Sequence, residues 1–377
     1  WTGTLVSDTT ASGDGAGFKL KVDRMKRFGV RLWLSNKLVI DKWNETGSLS
    51  DNSVDFNFTA GAKIPFVLEF WKDVHSTDGN GGELELLWDQ VGADPVVRAV
   101  AAVNKSDHVV LVVGGSDTTS NEGVDRSSLS LPGRQLELVQ VVTKAAKDMG
   151  AKLALVLVDN KPLAEPWIKD NVDAIRESFL AGQSQGIATV DVLLGKYNPA
   201  GRLPMTFPRS VGQLPAHYSR HEAHSDYCDL PSSPLWAFGH GLSYTTFNYT
   251  DLNIEDRAVK PDGIVHVSCK VSNVGDMDGD DVVQLYVQDT HASVTTPLKA
   301  LKGFERVHIR ARQSATVQFI IDVAEELKLI GRDYKWTVEP GVFKVMVGGS
   351  SVTADGGVLP LSGSFNVTKT YSNALVV

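Results

Sequence analysis

Apolar and polar residues alternate with a period of two in Gly17-Phe-Lys-Leu-Lys-Val22, Val30-Arg-Leu-Trp-Leu34, Phe66-Val-Leu-Glu-Phe70 and Leu84-Glu-Leu-Leu-Trp88. That period places alternate side chains on opposite faces and predicts half-buried strands. Short turns rich in Gly, Asn and Asp separate them, so residues 1–92 are expected to form an antiparallel β-sandwich. Trp1-Thr-Gly-Thr-Leu-Val6 enters a strand-like pattern at once, without a leader ahead of it, which makes the chain read as cut or processed at its start.

Beyond residue 92 the pattern changes. His108-Val-Val-Leu-Val-Val-Gly114 and Lys152-Leu-Ala-Leu-Val-Leu-Val158 are continuous apolar runs, suited to a parallel sheet buried on both faces. Between them Leu136, Val139 and Val142 share one helical face, and Gly150 stands where a C-cap belongs. Ala174–Ala181 predicts another strand and Gln183–Leu194 another helix closed by Gly195. The β-α-β-α order of residues 93–244 implies a parallel sheet flanked by helices. Alternation returns over 245–377, in Ile264–Val271, Asp281–Val287, Ser314–Ile320 and Gly341–Val347, and predicts an immunoglobulin-like sandwich.

With 377 residues, 42% of them hydrophobic and 22% charged, the chain has material for two or three globular domains. A net charge of -8 without basic clusters speaks against nucleic acid as a partner. Apolar runs stop at strand length, so no membrane span is expected. The two cysteines, Cys228 and Cys269, fall in different predicted modules, which excludes a disulfide framework and leaves one bridge open. Five Asn-X-Ser/Thr triplets, at Asn44, Asn57, Asn104, Asn248 and Asn366, suit a secreted glycoprotein.

Three segments carry a more specific signal. Gly114-Gly-Ser-Asp-Thr-Thr-Ser-Asn-Glu-Gly-Val-Asp-Arg-Ser-Ser-Leu-Ser-Leu-Pro-Gly-Arg-Gln135 resembles the signature of family 3 glycoside hydrolases, in which a strand leads into a Glu-Gly-x-Asp-Arg loop and then Leu-Pro-x-x-Gln. Gly195–Pro208 resembles the Gly-x-x-x-Pro-x-Gly-[RK]-Leu-Pro motif of the same family, and Phe238-Gly-His-Gly-Leu-Ser-Tyr-Thr-Thr-Phe247 its linker into a fibronectin III-like domain. Val30–Asp41, strand, Asn turn and strand, resembles the protective-antigen-like sandwich inserted in some glycosidases.

The resemblance implies the C-terminal part of a secreted β-glucosidase: a protective-antigen-like insert (1–92), an α/β sandwich (93–244) and a fibronectin III-like domain (245–377). It also implies that the (β/α)₈ barrel, which supplies the aspartate nucleophile and most sugar contacts, lies outside this chain, either missing, cleaved off or carried as a separate partner chain, with a β-glucoside or oligosaccharide as the expected substrate. No metal or other cofactor is implied.

Retaining glycosidases use two carboxyl groups about 5 Å apart, a nucleophile and a proton donor. The residue matching the family's proton donor is Glu122, a glycine-flanked carboxylate just past a parallel strand, where α/β sheets put ligand-facing groups. Asp125 and Arg126, opposite charges ahead of a helix, are expected to cap it and pin the loop. Trp71 and the polar stretch Asp73–Asn80, with His75, are candidates for a substrate rim. His240, between two glycines, reads as a tight domain-junction turn. His217, His221, His224 and Asp226 lack the spacing of a zinc site. Two departures from the family weaken any sugar assignment: Asp159-Asn-Lys-Pro162 stands for the usual Ser-Gly-x-Pro, and Arg176–Gly182 for a common Trp-Tyr-Pro-Gly pattern. The competing reading is a non-catalytic carbohydrate-binding or adhesion remnant. Against independent function of any kind, the sheet of 93–244 is expected to expose an unpaired edge and a bare apolar face.

Overall fold

The computed structural model describes residues 2–6, 17–23, 28–43, 53–56, 62–72, 85–91, 94–221, 226–351, 361–369 and 371–373. The chain divides into two compact units, Trp1–Lys105 and Ser106–Val377.

The first unit carries β1 (Thr2–Val6), β2 (Gly17–Asp23), β3 (Phe28–Leu34), β4 (Lys37–Lys42), β5 (Ser53–Phe56), β6 (Lys63–Lys72), β7 (Glu85–Val91) and the helix α1 (Pro95–Val103). Two antiparallel sheets result, in the orders β1-β6-β3-β4 and β5-β2-β7. Alternation along β3 and β6 buries Val30, Leu32, Leu34 and Leu68, which meet Ile40 from β4. Ser35 and Asn36 close the β3–β4 hairpin with φ of 48° and 69°. Two left-handed residues give that turn the twist of its flanking strands.

The second unit opens with β8 (His108–Gly114), α2 (Gln135–Met149), β9 (Lys152–Val158), α3 (Pro166–Asn171), β10 (Ala174–Glu177) and α4 (Gln185–Leu193). The sheet is parallel, in the order β10-β9-β8. Leu155, Val156 and Leu157 are buried in its centre, and α2 presents buried Val139, Val142 and Ala146. Gly150 ends α2 at φ 70° and donates its N–H to the last turn. β8 is an edge among the described residues, with Val110 and Val112 exposed, and α4 buries no residue and exposes Ile187 and Val190, with Leu194 exposed at its C-cap. The apolar run of β8 is therefore not buried on both faces as its composition suggested, since a strand paired on one side only leaves Val110 and Val112 exposed.

The remainder holds β11 (Phe247–Ile254), β12 (Ala258–Val259), β13 (Ile264–Asn273), β14 (Gly279–Asp289), β15 (Ala300–Ile309), β16 (Ser314–Asp322), α5 (Val323–Glu326), β17 (Leu329–Ile330), β18 (Trp336–Val338), β19 (Gly341–Gly348), β20 (Leu361–Val367) and β21 (Tyr371–Asn373). The sheets β11-β13-β16 and β12-β20-β19-β14-β15 enclose one core, with Val265, Val271, Val283, Leu285, Val345 and Val347 at its centre. Cys269 is buried in it, whereas Cys228 is exposed; both are free thiols, which closes the question of a bridge.

The parallel-sheet part and this sandwich are joined within the second unit by residues of the sequence motifs. Arg202 Nη2 donates to Asp281 Oδ1 at 2.6 Å, and Tyr249 OH donates to Asp281 Oδ2 at 2.6 Å. Asn198 accepts from Ser243 Oγ and the Tyr244 N–H and donates to the Asp278 carbonyl. Gly239, at φ 80°, lies where a Cβ would come 2.2 Å from Gln284 Oε1, so this turn of the Gly-His-Gly segment has room only for glycine.

Candidate active site

The loop that carries Glu122 begins where β8 ends. Gly114 has φ 152°, and a Cβ there would sit 1.8 Å from the Val158 carbonyl. Gln135, the first residue of α2, holds that glycine from both sides: the Gly114 N–H donates to Gln135 Oε1 at 2.7 Å, and Gln135 Nε2 donates to the Gly114 carbonyl at 2.8 Å. The Leu-Pro-x-x-Gln motif thus fastens the start of the loop to the start of the helix that follows it. The Gly115 N–H continues onto the Val158 carbonyl at 2.8 Å.

Glu122 stands on the outer arc of this loop and is exposed. Its N–H is taken by Asn121 Oδ1 at 2.8 Å, in a short local turn. Gly123 follows at φ 71°, reversing the chain. Asp125 is exposed, while the Arg126 side chain is 15% exposed and turns inward, its Nη1 at 3.8 Å from Asp159 Oδ2 and its Nη2 donating to the Ser130 carbonyl. Neither caps the helix: the N-cap of α2 is Arg134, without a side-chain cap bond. Arg126 pins the loop through Asp159 and Ser130 instead, because the chain between it and α2 runs on for several residues.

The parallel register brings the ends of all three strands together. Gly114 pairs with Val158, and Leu157 pairs with Glu177, so Gly115, Asp159 and Glu177 meet at one edge. Asp159 is fully buried; its Oδ1 accepts from Ser120 Oγ at 3.1 Å and from the Asn160 N–H at 2.7 Å. Glu165, also buried, accepts from the Leu131 N–H at 2.9 Å, and burial raises its pKa. Burial pushes Glu177 up to about 7, with the neighbouring Asp159 charge adding to it and the Phe179 N–H bond opposing it. Asp159 and Glu177 were not among the residues singled out for chemistry in the sequence. Reading the residue at or just past the end of each apolar strand would have found them.

The Glu177 shift has a measurable consequence. Between about pH 4.5 and 7 the native state keeps a proton that the unfolded chain has released, so stability falls as pH rises through that window. Glu177→Gln retains the acceptor for Phe179 and removes the titration. The variant is expected to match the natural chain near pH 4.5 and to exceed it by about 3 kcal/mol at most at pH 8, at 1.36 kcal/mol per unit. Thermal melts at the two pH values check this, and parallel curves would refute it.

Trp71, on β6 of the first unit, is 36% exposed and donates its indole N–H to the Trp43 carbonyl at 2.9 Å. His75 lies outside the described residues, as do Asn44 and Asn57. Asn104, Asn248 and Asn366 are all exposed. His221 Nδ1 is 3.1 Å from the Thr296 carbonyl and Asp226 accepts from the Ser232 N–H, while His224 lies outside the described residues. Among the described residues no group of three metal-ligating side chains converges, and no helix is long and apolar enough to cross a membrane.

Comparison with known proteins agrees with this architecture. The profile of the glycosyl hydrolase family 3 C-terminal domain matches residues 11–244, and that of a fibronectin type III-like domain matches 281–351. A periplasmic beta-glucosidase of Salmonella typhimurium is 37% identical over 321 residues, covering 80% of this chain and 41% of that protein. A beta-xylosidase of Formosa agariphila is 39% identical over 272 residues, covering 71% and 37%. The crystal structure of a Kluyveromyces marxianus beta-glucosidase in complex with glucose superposes with a TM-score of 0.75 at 25% identity, over 99% of this chain and 44% of that one. The chain spans about two fifths of the length of these relatives. Mostly sheet with few helices, an α/β sandwich followed by a fibronectin III-like domain, it belongs to glycosyl hydrolase family 3.

Proposed function

We propose that this chain supplies the general acid/base of a retaining exo-β-glycosidase that removes terminal β-D-glucosyl residues, with Glu122 as the proton donor. Its nucleophile belongs to a (β/α)₈ barrel outside the chain. The observation that carries the reading is the placement of Glu122: an exposed, glycine-flanked carboxylate on a loop that starts at the C-terminal end of a parallel strand and is fastened by Gln135 and Arg126. Packed against a barrel the loop would present this carboxyl group to a glycosidic oxygen in a site from which water is excluded. The exposed Val110 and Val112 of β8 and the bare α4 are surfaces that such a partner would cover.

In this reading residues 1–92 are a protective-antigen-like sandwich, 93–244 the acid/base sandwich and 245–377 the fibronectin III-like module. Trp71 offers a half-exposed ring on which a sugar can stack. The protein is secreted, and Asn104, Asn248 and Asn366 are open to glycosylation.

The test combines native mass spectrometry with hydrolysis of p-nitrophenyl β-glucoside and β-xyloside, for the natural chain and for Glu122→Ala. A co-purifying barrel-sized chain, with glucoside hydrolysis that collapses in the variant, supports the proposal. Preference for the xyloside would move the sugar assignment. A lone chain that binds glycans without hydrolysing them would replace the enzyme with a carbohydrate-binding protein.

A further inference from the structure

Glu122 has no hydrogen-bond partner for its carboxylate among the described residues, so its position is set by what holds the loop on either side of it. Both holds converge on one side chain. Asp159 follows the last residue of β9 and is fully buried. Its Oδ1 receives the Ser120 hydroxyl at 3.1 Å, upstream of Glu122. Its Oδ2 faces Arg126 Nη1 at 3.8 Å, downstream of Glu122. Gly115 makes the first contact feasible: a Cβ there would lie 2.0 Å from Ser120 Oγ. Lys161, two residues past Asp159, reaches the Thr119 carbonyl at 3.5 Å from the same strand end. The Asn160 N–H at 2.7 Å fixes the carboxylate plane, so the side chain presents one oxygen to each arm of the loop.

We propose that Asp159 is a positioning residue for the acid/base loop, a clamp whose two carboxylate oxygens hold Ser120 and Arg126 and thereby fix the arc bearing Glu122. This rests on the acid/base reading of Glu122. A side chain with one oxygen and no charge at position 159 could not serve both arms. Charge at that point holds the downstream arm, and the hydrogen-bond acceptor holds the upstream arm.

The two arms can be released separately. Asp159→Asn keeps the size of the side chain and the acceptor for Ser120, but loses the charge facing Arg126. Ser120→Ala loses only the upstream bond, and Asp159→Ala loses both. Residue-resolved hydrogen exchange on the full chain should show the Val124 amide, which donates to the Asn121 carbonyl, exchanging about tenfold faster in Asp159→Asn, with the Thr119 and Ser120 amides, which donate to the Ser116 carbonyl, unchanged. Ser120→Ala should show the reverse, and Asp159→Ala should loosen both arms. Should Asp159→Ala fail to fold, the two milder variants carry the comparison.

A role confined to packing predicts no such division, because Asp159→Asn preserves volume. Unchanged exchange in both Asp159→Asn and Ser120→Ala would overturn the proposal. With a barrel supplied, Asp159→Asn should lower kcat about tenfold on unactivated glucosides while KM stays within about threefold, the mark of a misplaced catalytic group and not of a lost binding contact. An unaltered kcat would likewise overturn it. If instead Glu122→Ala retains full activity while the exchange pattern holds, the loop clamp stands and only the acid/base reading of Glu122 is lost.

Discussion

Glu122→Ala, assayed with a barrel present, is expected to lower kcat/KM by about 10²–10⁴ on glucosides whose leaving group is an alkoxide or another sugar, and far less on dinitrophenyl glucosides. The difference follows from where the proton goes. An alkoxide leaves only if its oxygen is protonated as the glycosidic bond breaks, whereas a dinitrophenolate is stable without that proton. The second half-reaction provides a further check. The same carboxylate, now ionised, must take a proton from the attacking water, and azide attacks the glycosyl-enzyme without that help. Azide should therefore restore turnover of the dinitrophenyl substrate and yield a β-glucosyl azide. An equal loss on all leaving groups, or no azide product, would remove Glu122 from the acid/base role.

Asp281→Ala is expected to destabilise the second unit by about 3 to 5 kcal/mol, since it strands a buried guanidinium and a buried hydroxyl together. Asp281 and Arg202 side chains are 2% and 10% exposed, and Tyr249 OH ends on the same carboxylate. Burial and the Asp281 charge raise the Tyr249 pKa, so the phenol remains a donor at any ordinary pH. The melting temperature should fall by roughly 10 °C. The triple change Arg202→Met, Asp281→Leu and Tyr249→Phe should recover most of the loss, because apolar side chains of similar volume remove the stranded groups. If Asp281→Ala melts like the natural chain, the contact is an ornament of the interface. If the triple variant fares no better than the single one, packing volume and not stranded polarity dominates there.

Much of the architecture was legible from periodicity alone. The apolar run of β9 and the alternation in β13, β16 and β19 translate directly into burial, whereas the equally apolar run of β8 does not, because an edge strand leaves Val110 and Val112 exposed. Strands that change register were harder to read. In β11 the pairing shifts between Thr250 and Asn253, around Asp251 at φ 57°, and the alternation of Phe247 and Tyr249 breaks before it resumes at Ile254. In β15 a similar irregularity opposite Leu285 and Tyr286 breaks the pattern. The helix α1 went unread although Asp94 accepts from the Val96 N–H at its N-cap and Pro95 opens it, a start signal that a search for apolar faces passes over.

At the candidate site, Glu122 and Gln135 were reachable because their partners are close in sequence or part of one motif. Asp159 and Glu177 were not, since Asp159 meets Ser120 across 39 positions and only the parallel register puts them side by side. The expectation that Asp125 and Arg126 cap the next helix failed for the opposite reason. Nearness in sequence to α2 does not bring these side chains to its first turn, and Arg126 reaches back to a strand end instead.

The contacts of Arg202, Asn198 and Gly239 with Asp281, Asp278 and Gln284 bear on how such proteins can evolve. Modular enzymes are often rearranged by recombination in the linkers between their parts, and the stretch before β11 is the natural place for a crossover. Here a crossover there would separate each donor from its acceptor. A lineage receiving a foreign fibronectin III-like module would inherit a buried arginine without its aspartate and a glycine turn fitted to a side chain no longer present. The two modules should therefore be inherited as one unit, with phylogenies that agree.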